Sequence, residues 1–117
     1  MSKTGYALLI KFAMTFIFAG LAFALITANA WGWILLAGLV ATAVNYLVGD
    51  LWVLPNFGNI AASVGDGILG ALVAYIIDLL VPAFQTGAAA LVVFALLIMV
   101  GEYFFHQYLL RAEKVAP

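Results

Sequence analysis

Apolar residues do not alternate with polar ones along this chain; they continue turn after turn in four blocks separated by short breaks. The blocks run from Tyr6 to Ile26, from Trp33 to Trp52, from about Ile60 to Val81 and from about Thr86 to Leu110. Each matches the roughly 20 helical residues that cross the about 30 Å hydrocarbon core of a bilayer. So short a chain cannot close a membrane barrel, which leaves helices to satisfy the backbone in lipid. The expectation is an all-α polytopic membrane protein, with four transmembrane helices arranged as two hairpins in a single domain over residues 1–117.

The breaks carry turn chemistry. Thr27-Ala28-Asn29-Ala30 is a short polar turn. Leu54-Pro55-Asn56-Phe57-Gly58-Asn59 holds a proline that biases Leu54 away from helix, with Gly58 and the two asparagines to turn the chain. This stretch, and Pro55, Asn56, Gly58 and Asn59 in particular, is expected to be the linker between the hairpins. Pro82 ends the third block, and Gln85-Thr86-Gly87 makes the last turn. A secretory leader competes for residues 1–30, because Ala28-Asn29-Ala30 fits a small-x-small cleavage pattern. Lys11 interrupts that apolar run and its length is that of a full span, so the first block is taken as a span.

Composition agrees. The chain is 68% hydrophobic and 8% charged, which leaves too little polar surface for a soluble domain of 117 residues. A net charge of −1 argues against nucleic acid as a partner. Cysteine is absent, so disulfides, thiol catalysis and cysteine-bound metal are excluded. Lys3, Lys11, Arg111 and Lys114 all lie toward the two termini, and the turns at 27–32 and 82–87 carry no charge. The positive-inside rule then puts both termini in the cytoplasm and the protein in the cell membrane. Trp31, Trp33 and Trp52 fall near block ends, where indoles prefer the interface.

The charges that stay inside the blocks are the candidate chemistry. Counted from the span ends, Lys11, Asp50, Asp66 and Glu102 each place one ionisable group in the cytoplasmic half of the bilayer, one per span. His106 follows Glu102 by four and shares its face; Asn45 adds a neutral polar group on the second span. Such groups cost roughly 2.5–3.5 kcal/mol each in lipid on insertion scales and face a bundle interior or an aqueous cavity. One acid can pair with Lys11 and a charged His106 with a second; a proton, a cation or water must compensate the third. Asp50 is expected to relieve its own burden by reaching the interface, and Lys11 could instead snorkel to the headgroups. Asp78, at the outer end of the third span, is expected to be a solvated interfacial carboxylate. Glu102 and His106 alone are two ligands at helical spacing, too few for a metal, and no metal or cofactor is expected.

Small residues set the packing expectation. Ala62, Asp66, Gly70, Ala74 and Asp78 recur at intervals of four, with Gly65 and Gly67 beside Asp66. Gly38, Ala41, Thr42, Asn45 and Gly49 form a comparable face, so the second and third spans should pack together at the centre. Val48-Gly49-Asp50 and Val100-Gly101-Glu102 hint at a duplicated hairpin, but Val64-Gly65-Asp66 sits on a helix of the other direction and breaks the pattern.

The chain resembles the YndM-like proteins, small four-helix membrane proteins of Bacillus-type bacteria grouped as a domain of unknown function. The resemblance is carried by Ala7-Leu8-Leu9-Ile10-Lys11-Phe12 with Met14-Thr15, and by Tyr46-Leu47-Val48-Gly49-Asp50-Leu51. It continues through Leu54-Pro55, Gly58-Asn59 and Asp66, and ends in Gly101-Glu102-Tyr103-Phe104-Phe105-His106 with Leu110-Arg111. It implies that Lys11, Asp50, Pro55, Asn59, Asp66, Glu102 and His106 belong to a family pattern, and it supplies no activity.

Two function classes follow. The first is a non-enzymatic integral membrane protein whose polar inner-leaflet layer holds a helix bundle or a partner contact. The second is a small proton- or cation-linked transporter or channel working as a homo-oligomer. Small multidrug exporters share the size and span count, but they place an acid in the first span where this chain has Lys11. An intramembrane enzyme finds no support: Ser2 and Ser63 are the only serines, and no serine–histidine–aspartate order or cofactor motif is present.

Overall fold

The computed structural model describes residues 3–115 and is helical throughout apart from its turns. Helix α1 covers Lys3–Phe23. Helix α2 covers Trp31–Val44 and continues without a break as a π-helical segment, Asn45–Val53, and a last short turn α3, Leu54–Phe57. Helix α4 covers Asn59–Leu80 and α5 Ala88–Val115. Four helices are long and apolar enough to cross a membrane: Thr4–Phe23, Trp31–Phe57, Asn59–Leu80 and Ala88–Tyr108.

Each helix buries one stripe at four-residue spacing. On α1 the stripe is Ala7, Lys11, Thr15 and Ala19, and on α5 it is Ala90, Phe94, Ile98, Glu102 and His106. On α4 it runs from Ala62 and Ser63 through Asp66, Gly67, Gly70 and Ala74 to Ile77. Outward faces carry exposed aliphatic side chains such as Leu9, Ile17, Leu47, Ile68, Leu72 and Leu96. That pattern suits lipid on the outside and close backbones inside. The helices form a ring: α1 packs on α2 and α5, and α4 packs on α2 and α5.

The ring is tightest between α4 and α5. A Cβ on Gly67 would stand 2.6 Å from the backbone oxygen of Ala95, so only glycine permits this approach. Gly49 of the π-helical segment meets α4 at Asp66, and Gly70 of α4 faces Asn45 and Ile98. Gly38 belongs elsewhere: it packs on Phe12 and Phe16 of α1, so the small face expected between the second and third spans is split between two neighbours. A Cβ on Gly65 would meet nothing within 4 Å, so this glycine does not mark a close approach of helices.

The two halves of the bundle differ. The half away from the termini is sealed by apolar groups, with Phe23 buried edge-on against Phe84 at 5.3 Å and against Phe94 at 4.9 Å between ring centroids. Its turns are tied together through Asn29, which donates to the Gln85 carbonyl at 2.6 Å and accepts from the Gln85 N–H at 2.7 Å. Ala28 takes the left-handed conformation that ends α1, and the Asn29 N–H closes back on the Phe23 carbonyl at 2.8 Å. Asp78 keeps partial solvent exposure and also accepts the Thr86 N–H at 2.9 Å and hydroxyl at 2.6 Å, and so pins the turn between α4 and α5. The half that carries the termini holds the buried charges.

The linker differs most from expectation. Pro55 does not end the second helix, and among residues 54–59 only Gly58 leaves helical winding. The reason lies one turn earlier. In the π-helical segment the Leu54 N–H reaches back five residues to the Gly49 carbonyl. Winding is therefore already wide where Pro55 arrives without an N–H to donate. Asn56 then donates its side chain to the Trp52 carbonyl at 2.7 Å. Gly58, at φ 90° and ψ 175°, makes the whole reversal into α4.

Candidate functional site

The half of the bundle that carries the termini brings Lys11, Asp50, Asp66, Glu102 and His106 into one buried network drawn from all four spanning helices. Each side chain arrives by the local geometry of its own helix. Lys11 occupies the buried stripe of α1, and its ammonium Nζ lies 2.5 Å from Glu102 Oε2 and 3.3 Å from both oxygens of Asp50. It stands 3.8 Å from Asp66 Oδ2 and 5.1 Å from the centroid of the Phe105 ring, which faces it with π density. Lys11 does not snorkel; its side chain is wholly buried.

Asp50 is turned inward by the π winding. In an α-helix of 3.6 residues per turn, Asp50 would project about 140° away from Asn45, five residues before it. The wider i→i+5 winding reduces that angle, and Asn45, Gly49 and Asp50 are all buried on one side. Asp50 therefore does not relieve its burden at the interface as the sequence led us to expect. Its Oδ1 lies 2.9 Å from His106 Nε2. Asp66 fits because Gly49 has no side chain: a Cβ there would overlap the Asp66 carboxylate.

His106 is the hub. Its Nε2 lies 2.9 Å from Asp50 Oδ1, 3.1 Å from Glu102 Oε2 and 3.2 Å from Asp66 Oδ2. Its other nitrogen, Nδ1, lies 2.9 Å from Asn59 Oδ1 and 3.2 Å from Ser63 Oγ. Asn59 has no freedom to turn over, because its Nδ2 donates to the Tyr103 carbonyl at 2.9 Å. Ser63 donates to the same Asn59 oxygen at 3.0 Å. An oxygen fixed opposite Nδ1 requires a hydrogen on Nδ1, so Nε2 faces the three carboxylates with whatever remains.

Asn45 does not join the network. It lies about one turn deeper, beside Gly70, and neither end of its amide has a hydrogen-bond partner in the protein. The Thr15 and Thr42 hydroxyls are likewise buried without partners. Both oxygens of Asp66, Glu102 Oε1 and Asp50 Oδ2 make no hydrogen bond.

Of the expected linker residues, Asn59 alone enters the network; Pro55, Asn56 and Gly58 are exposed and act on the chain path. Ser63 and Phe105 were not singled out from sequence. Ser63 follows Asn59 by four on the face that carries Asp66, and that spacing was the available signal. Asp50, Asp66, Glu102 and His106 together offer four ligand atoms within 4.8 Å of one another, where helical spacing alone had shown two.

Comparison with known proteins places the chain. The family described as Protein of unknown function (DUF2512) matches residues 2–115, and the chain belongs to it. The uncharacterized membrane protein YndM of Bacillus subtilis (strain 168) is 43% identical over 70 residues, which is 58% of this chain and 38% of that relative. The aligned part thus spans well under half of the relative's length. No solved structure matches.

Proposed function

We propose that this member of a membrane-protein family of unknown function is a non-enzymatic scaffold whose buried charge network clamps four helices into one bundle or presents them to a partner. The observation that supports this is the reach of the network: every spanning helix contributes an ionised or ionisable group to one point, and every such group is buried. Association in lipid lacks a hydrophobic drive, so packing and polar contacts must order the helices. With both termini in the cytoplasm, the network lies in the inner leaflet.

The test is a charge-matched rescue. Lys11→Met leaves three carboxylates facing His106 alone, and breaking a buried ion pair costs about 3–5 kcal/mol. Lys11→Met combined with Glu102→Gln removes one charge of each sign and returns the net charge of the network to its wild-type value. Unfolding of purified protein in mixed micelles should show a large loss in the single variant and recovery of most of it in the double. A double variant no more stable than the single would sink the clamp.

A second reading, proton- or cation-linked transport by a homo-oligomer, draws on a different observation. Thr15, Thr42 and Asn45 extend buried, unpartnered polar groups from the network toward the middle of the bilayer. Beyond them Phe23, Phe84 and Phe94 close the outer half, so a path of this kind would be shut at its outer end in this conformation.

A further inference from the structure

We infer that Asp50, Asp66, Glu102 and His106 form a binding site for a divalent first-row transition-metal ion, with Lys11 as a neighbouring fixed cation. This goes beyond the clamping role and does not depend on it, since the helices are bridged with or without an ion.

The charges come first. Three buried carboxylates against the single ammonium of Lys11 leave two negative charges with no fixed counterpart in the network. One divalent cation brings that sum to zero while His106 stays neutral, which is the state in which an imidazole ligates.

His106 supplies the second observation. Asn59 holds a hydrogen on Nδ1, so Nε2 is the ring nitrogen that faces three carboxylate oxygens 2.9–3.2 Å away and the one an ion would take in exchange for its proton. A ligating histidine that donates its other ring hydrogen to an oxygen acceptor is the usual support of a metal site. Here that acceptor is Asn59 Oδ1, itself anchored on the Tyr103 carbonyl.

Asp66 supplies the third. Its carboxylate is wholly buried, neither oxygen makes a hydrogen bond, and Lys11 stands farther from it than from Asp50 or Glu102. The ammonium thus occupies the Glu102 side of the network and leaves Asp66 for the ion. The four ligand atoms already lie within 4.8 Å of one another. Ligands on opposite sides of a metal with bonds of about 2.0–2.2 Å stand at most about 4.4 Å apart, so a contraction of a few tenths of an ångström suffices. Carboxylates with one imidazole suit Mn²⁺, Fe²⁺, Co²⁺ or Zn²⁺ rather than an all-oxygen ion such as Mg²⁺.

The chain has one histidine, which makes the test direct. Tag-free protein, stripped with chelator in detergent, is titrated with Co²⁺ and with Mn²⁺. The expected result is one ion per chain, with ¹⁴N modulation from an imidazole in the pulsed EPR spectrum of the Mn²⁺ form. Asp66→Asn should abolish binding, Asn59→Ala should weaken it by about 10–100-fold, and Asp78→Asn should leave it unchanged. Circular dichroism follows the fold in each case, and the nitrogen signal of the wild type stands even if a variant fails to fold. A folded wild type that binds neither ion, or binds with no nitrogen signal, overturns the site. The clamp is judged separately, by the stability of the metal-free protein.

Discussion

Gly58 is the residue on which the turn between the second and third spans depends. Its φ of 90° with ψ of 175° lies where only glycine is at ease, and nothing within 4 Å would obstruct a methyl group. The cost of Gly58→Ala is therefore backbone strain, about 1–3 kcal/mol, and an unfolding titration in micelles should show a loss of that size. The strain would fall on Asn59, the next residue and the one that orients His106. Asn59 was legible in the sequence as a turn residue and not as a partner of His106. The two are 47 positions apart, and no local pattern joins them. The same holds for the whole network: one ionisable group per span at similar depth could be counted, but depth along a helix does not say which way a side chain faces. Asp50 shows the difference, since its inward turn comes from a winding that composition does not announce.

Among the elements, the spanning helices were legible because lipid demands long apolar runs, and the run lengths are visible directly. Their ends were less so. Pro55 ordinarily marks the end of a helix, yet the second span passes through it because the π-helical turn before it has already widened the winding. Contacts between elements were legible only as a supply of small residues. Gly65 and Gly67 are equivalent by composition, but Gly67 alone lies against α5. This pair provides a controlled comparison. Gly67→Ala would drive a methyl group into the Ala95 carbonyl and Met99, with an overpacking cost of about 1–3 kcal/mol. Gly65→Ala meets open space and should be neutral or stabilising by about 0.5–1 kcal/mol. Opposite signs in a thermal or detergent unfolding series would verify the α4–α5 seam; equal effects would refute it.

For the whole molecule, the unequal halves set what each proposed function class predicts. Among the described residues, interlocked phenylalanines close the half away from the termini while the other half holds the buried charge, an arrangement that favours a clamp over a route through one chain. The clamp reading predicts proton and cation flux in proteoliposomes no greater than in empty vesicles, across a range of pH and ions. Flux that disappears in a still-folded Glu102→Gln protein would establish the ion-linked reading instead.

Lys11 and Glu102 are separated by 91 residues, and that interval is also a delay. At about 5–20 residues per second of synthesis, the ammonium waits about 5–20 s for its nearest acid to be made. Asp50 arrives first, 39 residues after Lys11, and Glu102 and His106 come only with the last helix. A nascent chain thus holds Lys11 with only Asp50 and Asp66 to face it until the fourth span is inserted. Insertion of α5 is the step that closes the network, and a chain that stalls before it leaves Lys11 without its nearest acid and Asp50 and Asp66 without His106.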